Sequence, residues 1–317
     1  MDADTAFFDW HKETDTPGWD ARDSMGKLVF REHLWLFGGW FNSGSECPRD
    51  VWKSADGIVW TCVQRRAPWK HSDIPACTVF KDRMWVMGGW YNGRLPDHEA
   101  GKEVWSSQDG VEWRLVTSAP GWSPRVGAAV VEFNGRMWLL GGVEHYFAGD
   151  EKSLRNDVWS TEDGEHWECA VTEAPWKPRA FHQALVFDGK LWLMGGGNYL
   201  PGYRAHNDVW FTEDGTHWQQ ACDNAPWHPR LWFSALVYRE YLWVLGGWSN
   251  DPFVDWNDVW FSKNGKDWKQ LQSDIVWAKR HEHAAYVFRD KLWVAGGHAR
   301  PLSSEVWSIH LPVADFG

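Results

Sequence analysis

Arg280, His281, Glu282 and His283 stand in one run, and His298 follows shortly downstream. Two residues apart on a strand, His281 and His283 share a face, and His298 joins them if the two segments pair. Three such imidazoles suit a divalent metal. A neutral histidine beside Glu282 equally suits general acid or base chemistry near neutral pH, and a histidine hydrogen-bonded into the structure is a third reading. His182 occupies the place in its own segment that His283 occupies in the last one. A second set is five arginines, Arg22, Arg125, Arg179, Arg230 and Arg280, each three residues after a tryptophan, with Ser72 in the sixth such place. Guanidiniums gathered around one axis would make a positive well for carboxylate or phosphate, while the same repetition also fits a scaffold ion pair.

The elements that must position these residues repeat. Gly-Gly recurs from Gly38, Gly88, Gly141, Gly195, Gly246 and Gly296, at steps of 50 to 54 residues. Each pair ends an apolar run with the character of a buried strand, such as HLWLFGG or KLWLMGG. A Val-Trp strand follows, then a polar Asp-Gly or Asn-Gly step read as a tight hairpin with both central residues at positive φ, then a further strand. The chain is therefore predicted to be all-β: six blades of four antiparallel strands, a to d, around one axis. The sixth blade lacks a d strand after its Val-Trp segment. Trp10 and Trp19 show the spacing of every other d segment, so residues near 5 to 19 are expected to complete that blade and close the ring. One propeller domain then spans 1–317, with no room for a partner domain.

LW followed by Gly-Gly and then NDVW, as at Asn156–Trp159, Asn207–Trp210 and Asn257–Trp260, resembles the Kelch repeat, in six in-phase copies. The resemblance implies the propeller fold, and a wide range of roles: cytoskeletal and ubiquitin-ligase adaptors, sialic-acid mutarotases, specifier proteins that use ferrous iron, and the copper enzyme galactose oxidase. The iron-binding E-x-x-x-D-x-x-x-H stretch of the specifier proteins has no match here, nor does the Tyr, Cys and His set of copper radical chemistry. Glu144, His145 and Asp150 lie close together but fit no standard ligand spacing. P-loop, GxGxxG, GxSxG and CxxC motifs are absent.

Composition narrows the setting. Across 317 residues the chain is 44% hydrophobic and 24% charged, enough for a packed core, and its net charge of −11 argues against a surface built for nucleic acid or anionic membrane. No stretch approaches the ~20 apolar residues of a membrane span. The N-terminus has no basic and apolar leader, and the five cysteines (Cys47, Cys62, Cys77, Cys169, Cys222) show no CxxC spacing, so a cytoplasmic location is expected.

The repeat separates scaffold from site. Of 29 tryptophans, four per blade recur, and Trp40, Trp90, Trp232, Trp248 and Trp256 do not. All five fall on the face where the d-to-a and b-to-c connections emerge, with Phe41, Tyr91, Tyr146, Tyr199 and Tyr203. The expected site is the axial mouth on that face. Its ligand is expected to be polar and anionic with an aromatic or apolar part, its charge held by Arg22, Arg125, Arg179, Arg230 and Arg280 and its apolar body by Trp40, Trp90, Trp232 and Trp248, with Asn198 and His298 as further substrate-binding residues. His182, Glu282 and His283 would move protons in isomerase, mutarotase or lyase chemistry, with no cofactor. A metal on His281, His283 and His298 is the lesser variant. The alternative is an interaction module that binds an acidic peptide in the arginine-lined well.

Overall fold

The computed structural model describes residues 8–147, 151–199 and 204–312. Tyr203, Asp150 and residues 5–7 of the expected closing segment lie outside them. Six four-stranded antiparallel sheets are present. Their a strands are Gly26–Phe30, Ala76–Phe80, Ala129–Phe133, Gln183–Phe187, Ser234–Tyr238 and Ala284–Phe288. Each a strand touches the a strands of the blades on either side, and the sixth touches the first, so they form a closed inner ring. The last blade takes its outer strand from His11–Thr14, which pairs with Val306–Ile309 in the register His11 to Ser308 and Lys12 to Trp307. No helix among the described residues is long and apolar enough to cross a membrane. All five cysteines are unpaired.

Tryptophan fastens blade to blade. The indole after each d strand meets the d-strand indole of the next blade edge-on, six times around the ring, as in Trp19–Trp60, Trp122–Trp167 and Trp277–Trp10. Centroids lie 5.7–6.1 Å apart and the planes are nearly perpendicular. Such a pair contributes about 0.5–1.5 kcal/mol beyond the area it buries. The b-strand indoles each donate to the carbonyl that ends the preceding a strand, as Trp35 does to Phe30 at 3.0 Å.

The turn chemistry differs from expectation. In the c-to-d turn only the glycine has positive φ, Gly57 at 79° for instance. Asp56 instead accepts the N–H groups of Ile58 and Val59 at 2.8 Å. The glycine is needed because the Trp293 ring lies 2.3 Å from where a Cβ would stand. Two consecutive positive φ values occur in the a-to-b hairpins, as at Arg31 and Glu32 (46° and 58°) or Arg239 and Glu240 (53° and 60°). Asp-Gly is a strong signal for that turn but not a required one, since its twist suits the strands whichever residues occupy it.

The b-to-c connections build a collar on one face. Blade five extends furthest, its b and c strands running Tyr241–Asn250 and Phe253–Ser262. Blades two and four carry two-residue ladders, Trp90–Tyr91 with Glu99–Ala100 and Gly197–Asn198 with Arg204–Ala205.

Candidate functional site

The arginines do not line a well. Arg22, Arg125, Arg179, Arg230 and Arg280 are 0–2% exposed, and each turns away from the axis into its own blade. Arg179 donates to the Lys177 and Gly195 carbonyls at 3.0 and 2.9 Å and to both oxygens of Asp208 at 2.6 and 2.8 Å. Arg22, Arg125 and Arg230 repeat this on Asp50, Asp157 and Asp258, and Arg280 pairs with Glu305. The acceptor carboxylates also take the indole N–H of the c-strand tryptophans, such as Trp210 on Asp208 at 2.8 Å. In blade two, where Ser72 replaces arginine, His71 lies 4.0 Å from the corresponding Glu103. The predicted positive well gives way to a scaffold ion pair, because these donors are spent on fixed partners.

Two residues beyond each arginine the chain reaches the axis. Ser24, Ile74, Gly127, Phe181, Trp232 and Glu282 all have positive φ, between 49° and 67°. Backbone bonds join them across blades: Ser24 N–H to Glu282 O, Ile74 N–H to Ser24 O, Phe181 N–H to Gly127 O and Glu282 N–H to Trp232 O, at 2.8–3.0 Å. Left-handed backbone costs a non-glycine residue roughly 1–2 kcal/mol, and five of the six are not glycine. Ser24, Trp232 and Glu282 line both a cavity of about 310 Å³ at the mouth and an axial chamber of about 200 Å³ below it, and Ile74, Gly127 and Phe181 line the chamber.

The cavity has two unlike sides. Blades three to five supply Tyr146, Tyr199, Trp232 and Trp248, an aromatic wall backed by Phe181, with Trp232 in contact with Phe181, Tyr199 and Trp248 at centroid distances of 4.9–5.5 Å. Blades six, one and two supply Asp23, Ser24, Asp73, His281, Glu282 and His298. His281 and His298 stack at 4.9 Å. His281 Nδ1 lies 2.6 Å from Asp255, His298 Nδ1 lies 3.1 Å from Asp23, and His281 Nε2 lies 3.4 Å from Glu282 Oε2. Arg300 holds the other Asp255 oxygen at 2.8 Å. Burial first, then the charge of Asp23, pushes Asp73 well above the usual carboxylate range, and burial with Asp23 and Asp73 does the same to Glu282. Burial, then Glu282 and Asp73, likewise raises the Tyr146 phenol.

The orphaned polar atoms divide the same way. The indole N–H groups of Trp19, Trp69, Trp122, Trp176, Trp227 and Trp277 lack a hydrogen-bond acceptor in every blade, so they belong to the scaffold. Asp23 Oδ1, Asp73 Oδ1, Glu282 Oε1 and Trp232 Nε1 are buried without a partner at residues that line the mouth.

Other expected residues fall elsewhere. His182 and His283 are 3% and 1% exposed, wedged under the first glycine of the preceding blade, with their Cε1 atoms 3.0 Å from where a Cβ on Gly141 or Gly246 would be. Phe233 and Met25 fill the same wedge against Gly195 and Gly296. Both line the axial chamber rather than the mouth, with their ring nitrogens unpartnered, and burial, with Arg179 nearby, pushes His182 down to about 3 while burial lowers His283 strongly, so both are neutral there. His283 packs on Trp277 and does not join His281 and His298, and no three metal-ligating side chains converge among the described residues. Trp40, Trp232, Trp248 and His298 do line the mouth. Trp90 is tucked against His98 and Phe147, and Trp256 stacks on His228 at 4.5 Å. Asn198 is buried in the short ladder opposite Arg204. Asp23, Ser24, Asp73 and Asp255 escaped the sequence reading. For the first three the signal is asymmetry one and two places after the arginine or Ser72, where blades three to five carry Val126, Ala180 and Leu231, then Gly127, Phe181 and Trp232, whereas Asp255 lies in the b-to-c connection of blade five.

No known protein family's profile matches the chain. Alpha-scruin of Limulus polyphemus is 33% identical over 146 residues, 43% of this chain and 15% of its own length, and beta-scruin of the same animal is 32% identical over the same length and shares. The flagellar outer-arm dynein alpha chain of Chlamydomonas reinhardtii is 30% identical over 143 residues, 3% of its length. The matched stretch thus spans at most 15% of these relatives. Among solved structures, YjhT superposes with a TM-score of 0.71 at 16% identity, covering 90% of this chain and 93% of its own.

Proposed function

Since the chain is a Kelch-type six-bladed propeller, a fold that places a site without defining its chemistry, we propose that the mouth binds a small molecule and moves protons on it, in isomerase, mutarotase or lyase-like chemistry. The observation that carries this reading is the set of four buried, unpartnered polar atoms, on Asp23, Asp73, Glu282 and Trp232, around one cavity. Buried polar groups are hydrogen-bonded as a rule, so orphans gathered at a cavity await a ligand. Asp255 orients His281 so that Nε2 faces Glu282, whose raised affinity for protons suits a group that takes up and returns one. Asp73, raised by the same crowding, is its partner across Ser24, whose hydroxyl interacts with both. The aromatic wall takes the apolar face of the ligand. These steps use side chains alone, and a cytoplasmic setting belongs to the same reading. An acidic peptide has lost the arginines that were to hold it.

The test is NMR in D2O across a panel of sugars, amino sugars and amino acids, which reads exchange at C–H positions and, for the sugars, exchange between the two anomers. We expect protein-dependent exchange for one class of compound, slowed about a hundredfold or more by Glu282→Gln. Equal exchange in wild type and variant would remove Glu282 from the chemistry.

A further inference from the structure

Resting on the mouth as a small-molecule site, we propose that its ligand carries a primary ammonium group, bound by Asp23, Asp73 and Glu282, on a ring that lies against Trp232. The first ground is valence. Once ionised, the three carboxyls with orphaned oxygens are acceptors only, and those oxygens are buried on side chains that are 2%, 4% and about 10% exposed. A primary ammonium brings three N–H donors and no acceptor. An unpaired buried carboxylate oxygen is costly, so the site gains most from a ligand that supplies donors and charge together.

The second ground is charge. The acids facing the cavity are Asp23, Asp73, Asp255 and Glu282. The bases around it are His281, His298, Arg94 and Arg300, with Lys27 in the chamber below. Arg300 is engaged by Asp255 and stacks on Phe253 at 5.3 Å, Arg94 stacks on Phe147 at 4.9 Å, and His298 takes the other oxygen of Asp23. None of these reaches the three orphaned oxygens. Crowding instead leaves protons on Asp73 and Glu282, and a bound cation would replace them. The third ground is the wall itself, because the rings of Tyr146, Tyr199 and Trp232, the last already stacked on His281 at 5.3 Å, attract a cation by their quadrupoles as well as covering a ring.

Calorimetry with two matched pairs tests this: phenethylammonium against 2-phenylethanol, and glucosamine against glucose, with phenylacetate as the anionic control. One amine should bind at least about tenfold more tightly than its neutral partner, ~1.4 kcal/mol, and phenylacetate more weakly still. For phenethylammonium the affinity should rise as pH increases above the ordinary carboxylate range, with protons released in proportion to the difference in heat between phosphate and Tris buffers. Asp73→Asn and Glu282→Gln should each cost the amine about tenfold and leave the neutral partner unchanged. Both variants should melt no lower than wild type, which separates lost binding from lost folding. If amine and neutral partner bind equally and both are lost in Trp232→Ala, the ammonium proposal fails and the site reading stands. Preference for phenylacetate, or proton uptake with the amine, also overturns it. If no compound binds and Trp232→Ala changes nothing, both readings fail.

Discussion

Two rings of residues lie two positions apart in every blade and behave as opposites. The first holds Arg22, Arg125, Arg179, Arg230 and Arg280, the same residue type in five blades, buried, with its donors matched to carbonyls and a carboxylate. The second holds Ser24, Ile74, Gly127, Phe181, Trp232 and Glu282, six different residues in one left-handed conformation. Among its side chains, Trp232 and Glu282 leave polar atoms unpaired. Repetition with full satisfaction marks what holds the ring together. Variety held in strained backbone beside unsatisfied groups marks where a fold spends stability on a ligand.

The sharpest way to break this comparison is to remove one guanidinium. Arg179→Leu leaves Asp208 and the Gly195 carbonyl buried without their donor, and breaking a buried pair from one side costs about 3–5 kcal/mol. Chemical denaturation of the variant should show a loss of that size, with binding at the mouth retained in whatever fraction stays folded. A loss below about 1 kcal/mol, or a selective loss of ligand, would return the arginines to the site.

The blades were legible because their signals are repeated and local. Apolar runs ending in Gly-Gly, and the Trp10–Trp19 spacing that supplies the closing strand, each needed only a few neighbouring residues. The direction of the guanidiniums was not, because it is decided by carboxylates some 30 residues downstream. That pairing had left a trace. The residue before Val-Trp is Asp50, Asp157, Asp208 or Asp258 in four arginine blades, and Glu103 where Ser72 stands in for arginine. Of the acidic half of the mouth only Glu282 was legible, and Asp23 and Asp73 were missed for a similar reason: the three belong to three blades, and only ring closure brings them within reach of each other. His182 and His283 were misplaced because strand alternation gives a face but not a depth, and their depth is that of Phe233 and Met25.

A smaller effect tests the strain in the second ring. Gly127 is its one glycine, at φ +67°, and a Cβ there would stand 2.6 Å from the Phe181 ring and 3.0 Å from the Phe181 nitrogen. That nitrogen donates to the Gly127 carbonyl, one of the bonds that links blades around the axis. Gly127→Ala should therefore destabilise by roughly 1–3 kcal/mol, from left-handed backbone and displacement of that bond together. Thermal melts would register it. An unchanged melting temperature would mean that the ring is slack and that its other five residues hold their conformation at no cost.

The smallest effect concerns pH and separates the rings by sign. In the first ring burial raises Glu305, but hydrogen bonds from Lys12 and Arg280 override it and hold the carboxyl at about 2. Asp208 is lowered against its own burial by Arg179 in the same way. A carboxyl lowered on folding contributes stability above its unfolded pKa and loses it as pH falls. Asp73 and Glu282 are raised, so the native state binds more protons than the unfolded chain. Their contribution is present below the ordinary carboxylate range and is lost as pH rises through the folded pKa. Replacing both, as Asp73→Asn with Glu282→Gln, should stabilise on the order of 1 kcal/mol at pH 8. It should flatten the decline of stability on the alkaline side of the carboxylate range while leaving the acid limb untouched. Glu305→Gln should do the reverse, lowering stability at neutral pH and above and flattening the decline on the acid side. If the double variant instead lowers stability at pH 8, these two carboxyls have partners that hold them as anions, and the second ring is scaffold like the first.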